Sequence, residues 1–108
     1  MAYDEGLAER LSELLAARKG VTEKKMFGGL CYLLDGKMVL GIVKDSLMVR
    51  VGPAAYEDAL ARPHAREMDF SGRPMKGYVF VGAAGFEADR DLRAWAERAL
   101  TFVATLKK

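Results

Sequence analysis

The chain has 108 residues, 51% hydrophobic and 30% charged, enough apolar mass for one domain with a core that needs no metal or disulfide staple. A net charge of +2 excludes charge alone as an argument for nucleic-acid binding, which needs cations gathered on one face. One cysteine excludes an intramolecular disulfide and fits a reducing compartment.

In chain order, residues 4–18 read as an amphipathic helix. Leu7, Leu11, Leu14 and Leu15 fall on one face. Asp4 is the expected N-cap, and Gly20 the expected C-terminal stop. Residues 24–34 read as one strand. Asp35-Gly36 is a strong hairpin signal, and it leads to a second strand marked by Val39, Leu40, Ile42 and Val43. Lys44-Asp45-Ser46 turns the chain into a third strand with Leu47, Val49 and Val51. Gly52-Pro53 opens a short helix with Tyr56, Ala59 and Leu60, and Pro63 stops it. Met68 and Phe70 alternate with Glu67 and Asp69 as a fourth strand. A turn at Ser71–Pro74 precedes a fifth strand over Tyr78–Val81. A long helix from Asp89 to Leu106 carries Leu92, Trp95, Ala99, Phe102, Val103 and Leu106 on one stripe. The order α-β-β-β-α-β-β-α predicts an α+β two-layer sandwich with a five-stranded, mainly antiparallel sheet. The whole chain, 1–108, is expected to be one domain, without repeats or linkers.

The N-terminus has neither a basic region nor an apolar run of signal-peptide type. No apolar run reaches the ~20 residues of a membrane helix. These features predict a cytoplasmic protein that does not engage a membrane.

Three segments carry a family resemblance. They are Met26-Phe27-Gly28-Gly29 after the first helix, Leu47-Met48-Val49-Arg50-Val51 followed by Gly52-Pro53, and Met68-Asp69-Phe70 leading into Arg73-Pro74-Met75-Lys76-Gly77. Their order and spacing resemble the N-terminal domain of the TfoX/Sxy family over nearly the whole chain. The resemblance implies the two-layer topology shared with type III secretion chaperones. It also implies a regulatory, non-enzymatic role. Better-known members promote natural competence together with a cyclic-AMP-responsive transcription activator. They usually carry a second, helical C-terminal domain, whereas this sequence ends at Lys108 and is expected to be a stand-alone, single-domain relative. The family transfers no catalytic residue.

The cations in or beside these motifs are Lys24, Lys25, Arg50, Arg73 and Lys76. Brought together, they would hold an anion or an acidic partner; dispersed, they are strand-edge charges that discourage aggregation. Phe27, Gly28, Gly29, Met75 and Gly77 complete the expected partner surface. The glycines fit either close approach of a partner or a bulge, and no phosphate-binding loop surrounds them. Met26, Met48 and Met68 are expected in the core, and Met75 partly exposed. Cys31 and His64 are the one cysteine and the one histidine. Cys31 sits in an apolar strand, where a thiol is inert, and His64 lies in a polar loop. Neither a catalytic pair nor a four-ligand zinc site is expected from them. Arg62, His64 and Arg66 form a small basic run that Glu67 and Asp69 oppose, and the last helix shows a mixed, solvated face.

These readings predict a protein-interaction or regulatory module without a cofactor. A protein partner is expected, and self-association is an open alternative for a small sheet with edges to cover. A nucleic-acid accessory role requires the cations to converge on one face. A small enzyme requires a cleft holding perturbed groups.

Overall fold

The structure, a computed structural model, describes residues 4–16, 18–26, 29–69 and 74–106, with 26, 68–69 and 74–76 described in backbone only. The elements run α1 (Glu5–Leu15), β1 (Val21–Met26), β2 (Gly29–Leu34), β3 (Lys37–Val43), β4 (Ser46–Arg50), α2 (Tyr56–Leu60), β5 (Ala65–Asp69), β6 (Pro74–Val81) and α3 (Asp89–Ala104). A single 3-10 turn, Ala83–Gly85, precedes α3.

Asp4 caps α1 as its side-chain chemistry predicts, accepting from the Leu7 amide at 3.2 Å. Its own amide donates to the Lys44 carbonyl at 2.7 Å, which pins the start of the helix to the β3–β4 turn. The helix ends at Leu15, earlier than the expected 18. Gly20, at φ +86, instead supplies the carbonyl that receives the Asp35 amide. Asp35 and Gly36 both have positive φ (52° and 83°), as a tight hairpin turn requires.

The sheet has six strands in the order β1-β2-β3-β4-β6-β5, and every neighbouring pair is antiparallel. The expected count of five fails in one place. Residues 24–34 are not one strand, because β1 ends at Met26, β2 begins at Gly29, and these two residues face each other as partners. The chain therefore reverses where a continuous strand was expected. β6 also begins at Pro74, earlier than the predicted Tyr78.

All three helices lie on one face of the sheet. Leu7, Leu11 and Leu15 of α1, Tyr56 and Ala59 of α2, and Leu92, Trp95, Ala99 and Val103 of α3 share one core with Leu30, Tyr32, Leu40, Ile42, Leu47, Val49, Val79 and Val81. Side chains alternate across a strand, so these sheet positions form cross-strand rows. One row runs Leu30, Ile42, Leu47 and Val81, and the next runs Tyr32, Leu40, Val49 and Val79. A register shift after Tyr32 leaves Val39 without a partner across the pair. Val39 is buried in the same core.

Gly29 marks a close backbone approach. A Cβ there would fall on the Ile42 carbonyl oxygen, which belongs to the neighbouring strand and cannot swing away. Gly29→Ala is therefore expected to lower unfolding free energy by about 2 kcal/mol or more, in the range of overpacked core sites. Urea denaturation checks this; a loss under ~0.5 kcal/mol would show that the β2–β3 pair gives way easily.

Candidate functional site: the outer face of the sheet

One cross-strand row spans the whole sheet on the face away from the helices. It runs Lys24, Cys31, Gly41, Met48, Phe80 and Arg66, one residue from each strand. At the usual strand spacing the row is about 24 Å long. Its two ends are cations and its middle is apolar. Cys31, Met48 and Phe80 form a second cluster, separate from the main core, with Met38, Val43 and Tyr78 partly buried against it.

Gly41 explains how the middle packs. A Cβ at Gly41 would meet the Met48 Cε at 3.0 Å and the Cys31 Sγ at 3.2 Å. The missing side chain leaves a groove that the flexible methionine lies across. Met48 is fully buried as a result. The expectation that Met48 is a core residue holds, but its core is this second one. Met26 and Met68 have side chains outside the described set.

Arginines close over the aromatic rings of this face. The Arg66 guanidinium lies 5.1 Å from the Phe80 ring centroid, and Arg66 donates to the Ser46 hydroxyl at 3.2 Å. The Arg50 guanidinium lies 5.6 Å from the Tyr78 ring and 5.6 Å from the Phe102 ring of α3. It also donates to the Met38 carbonyl at 3.3 Å. Such distances place each guanidinium within cation–π range of a ring. Among the described strand side chains of this face, Lys24, Arg50 and Arg66 are charged and none is acidic.

The expected site residues are only partly brought together. Lys24 and Arg50 share the outer face, whereas Lys25 pairs with Leu30 in a row of the helix-covered face. Gly29 lies at the end of the sheet where β1 meets β2. Gly77 lies at the opposite end, where its carbonyl accepts from the Val51 and Gly52 amides at 2.8 and 3.0 Å. Its φ of +95° is the conformation glycine permits. Gly29 and Gly77, one from each glycine-containing motif, therefore lie towards opposite ends of the strands. Phe27, Gly28 and Arg73 lie outside the described residues, as do the side chains of Met75 and Lys76. Sequence reasoning missed Gly41, Tyr78 and Phe80 as parts of this face, and it set Arg66 aside as part of an opposed basic run. The signal was the period-two alternation, once the pairing of all six strands is known.

Cys31 and His64 are not neighbours. Cys31 is on β2, and three strands separate β2 from β5, at whose start His64 lies. Among the described residues no group of three His, Cys, Asp or Glu side chains converges to hold a metal. No helix among them is long and apolar enough to cross a membrane.

With this geometry in place, the comparison with protein families is decisive. The model of the TfoX N-terminal domain matches residues 13–103. The chain belongs to the TfoX N-terminal domain family. A comparison with curated proteins returns no match. The family match spans all six strands and ends within α3, so the outer-face row of this TfoX N-terminal domain lies wholly inside it.

Burial raises the Cys31 thiol above its ordinary pKa. Burial, and then the Glu67 carboxylate, raises the Tyr56 phenol likewise. Both groups hold their protons in the folded state at pH values where the unfolded chain releases them. Their contribution to stability is full below the ordinary thiol range and falls as pH rises through it and on through the tyrosine range. Native Cys31 is expected to react with a thiol reagent far more slowly than the urea-unfolded chain. Cys31→Ala is expected to flatten the first part of the alkaline stability loss. Equal labelling rates in native and unfolded protein would overturn the buried placement.

Proposed function

We propose that this TfoX N-terminal domain is a non-enzymatic regulatory module that acts by holding a protein partner on the outer face of its sheet. The observation that carries this reading is the composition of that face. Protein interfaces are enriched in aromatic residues, methionine and arginine and depleted in acidic residues. The outer face offers Met38, Tyr78, Arg50 and Arg66 with no described acidic side chain among its strand positions. Each arginine already has a ring and a hydrogen-bond acceptor as partners, which lowers the ordering cost of binding. A buried, free Cys31 far from His64 adds no support to nucleophilic chemistry.

Charge argues against a second copy of the same face as the partner. Two copies would set Lys24, Arg50 and Arg66 against their own equivalents, and like charges facing each other are unfavourable. A nucleic acid fits the cations as well as an acidic protein does. However, the Phe80 ring is buried under Arg66, and so does not offer the open stacking platform of single-strand binders.

The test is affinity capture of interacting proteins with three baits. These are the native chain, an outer-face variant (Val43→Glu with Arg66→Glu) and a helix-face control (Arg93→Glu on exposed α3). The expected outcome is a set of proteins retained by the native chain and the control and lost, by tenfold or more, with the outer-face variant. Circular dichroism confirms that all three fold. Proteins retained equally by all three baits would remove the outer face as the working surface. Saturable binding of oligonucleotides, falling steeply with salt and lost in the same variant, would transfer the face to a nucleic-acid role.

A further inference from the structure

The outer face carries a charge pattern that the helix layer does not. Arg10, Arg62 and Arg98, on the helices and their loop, each meet an aspartate. Among the described residues, Lys24, Arg50 and Arg66 of the outer face have no carboxylate within ion-pair distance. The glutamates of the two edge strands turn the other way. Glu23 stands opposite Tyr32 in a helix-covered row and accepts from Ser12 of α1, and Glu67 stands opposite Val79 in that same row. The β3–β4 turn adds Lys44 and Asp45, which offset each other. The Asp69 side chain, like that of Lys76, lies outside the described set. Three described cations thus face outwards with no described strand carboxylate to answer them.

Their spacing sets the shape of what could. In the strand order β1-β2-β3-β4-β6-β5 the midline of the sheet falls between β3 and β4, where Gly41 stands opposite Met48. Lys24 on β1 and Arg66 on β5 lie on the two edge strands, each about 12 Å from that midline. The apolar lane runs between them. Met38 and Val43 of β3 are half-buried at its two ends, about 17 Å apart along the strand, and Gly41 keeps its centre low. Arg50 marks the Met38 end, where it donates to the Met38 carbonyl.

A helix is about 10–12 Å across. One helix on the midline leaves about 6 Å to each edge cation, a gap that a glutamate and a long cationic side chain close together. Two helices side by side would cover the cations. An extended segment fits less well, because β2, β3, β4 and β6 each have a strand on both sides. A strand laid over them would find no backbone partners for its own amides and carbonyls, whereas a helix satisfies these internally.

We propose that the segment held on the outer face is an amphipathic α-helix with carboxylates on both flanks of its apolar stripe. The stripe lies on Met38, Val43 and Tyr78 along β3 and β4. One acidic flank meets Lys24, and the other meets Arg66, with Arg50 taking a carboxylate at the Met38 end. This rests on the outer face as the working surface and adds the chemistry of its partner.

The probes are synthetic peptides of about 14 residues, four helical turns. The first has a leucine stripe at helical spacing and glutamates on both flanks. Its basic twin has lysine for every glutamate, and a third peptide keeps the glutamates but has glutamine for every leucine. A short duplex DNA is the fourth probe. Each is titrated into the full chain by fluorescence anisotropy, with circular dichroism for peptide helicity and backbone amide NMR for the footprint. The acidic amphipathic peptide is expected to saturate, to gain helicity, and to shift amides of β3, β4 and β6. The other three probes should bind at least tenfold more weakly. Lys24→Glu with Arg66→Glu is expected to reverse the preference, so that the basic twin binds at least tenfold more tightly than the acidic peptide. Lys24→Glu alone changes an exposed side chain and should weaken the acidic peptide about fivefold, a guard against a folding defect in the double variant.

An acidic peptide that does not saturate overturns the proposal, as does a footprint on α3. Equal binding of the basic twin also overturns it, because the cations would then select nothing. These three results leave the outer face itself to be judged by affinity capture with its own variant. Tighter binding of the duplex DNA overturns the proposal and assigns the cations to phosphates.

Discussion

The two faces of the sheet cannot be packed in the same way, and much else in the molecule follows from that inequality. Helices cover one face, so the inward rows through Leu40, Ile42, Leu47 and Val49 are aliphatic and close against α1 and α3. None of the described helices covers the other, yet Cys31 and Met48 are buried there. The central strands must therefore be apolar on both sides, which is why Leu30–Leu34 and Met38–Val43 read as nearly unbroken apolar runs. Gly41 makes the outer packing possible at the centre of the row. It turns a flat pleat into a trough, and Met48 fills it. The outer face thus has a firm apolar centre, and only its margins carry charge.

Polar contacts then lock the helix layer to the sheet. Tyr32 crosses the core from β2 and donates its hydroxyl proton to the Ala8 carbonyl at 3.1 Å, while Ser12 of α1 donates to Glu23 of β1 at 3.1 Å. Arg10 reaches from α1 to the segment before α3, donating to the Phe86 and Glu87 carbonyls at 2.9 and 3.2 Å and to Asp89 at 3.0 Å. Backbone carbonyls are fixed acceptors, so Arg10 holds α1 and the start of α3 at a set distance. The Asp89 pair is exposed on the acid side and adds little by itself. The Asp91–Arg98 flank of α3 faces the α2–β5 loop across a cleft that both line.

Local signals in the sequence were dependable wherever one interaction decides the outcome. Asp4 as a cap, Asp35-Gly36 as a turn and the Leu92–Val103 stripe each depend on a few neighbouring residues, and the structure has them as expected. The β1–β2 reversal is not legible locally, because Met26 and Gly29 stand in an otherwise strand-like run where glycines fit a bulge or a contact point equally well. Gly29 is instead needed because the Ile42 carbonyl of β3 comes so near, a contact that local reading cannot see. The face was missed for a related reason. Lys24 and Arg66 are 42 positions apart in sequence, and only the pairing of six strands puts them at the ends of one row. Arg62 was visible as part of a basic run, but its companion Arg98 comes from a helix that read as a mixed, solvated surface. One Asp58 oxygen joins them.

Arg50 gives the two halves of the molecule a point of contact. It leaves β4 on the outer side, and its guanidinium lies 5.6 Å from both Tyr78 of the outer face and Phe102 of α3. Phe102 in turn stands against Gly52, where any Cβ would strike the ring. Gly52 is tied by its amide to the Gly77 carbonyl within β6. Tyr78, Arg50 and Phe102 form a short series of cation–π contacts between the two faces. The main core, apolar and buried, separates the two faces elsewhere. Arg50 is suited to bridging the two rings because its pull on them is electrostatic and survives small displacements, whereas an aliphatic side chain in its place would make only short-range contacts.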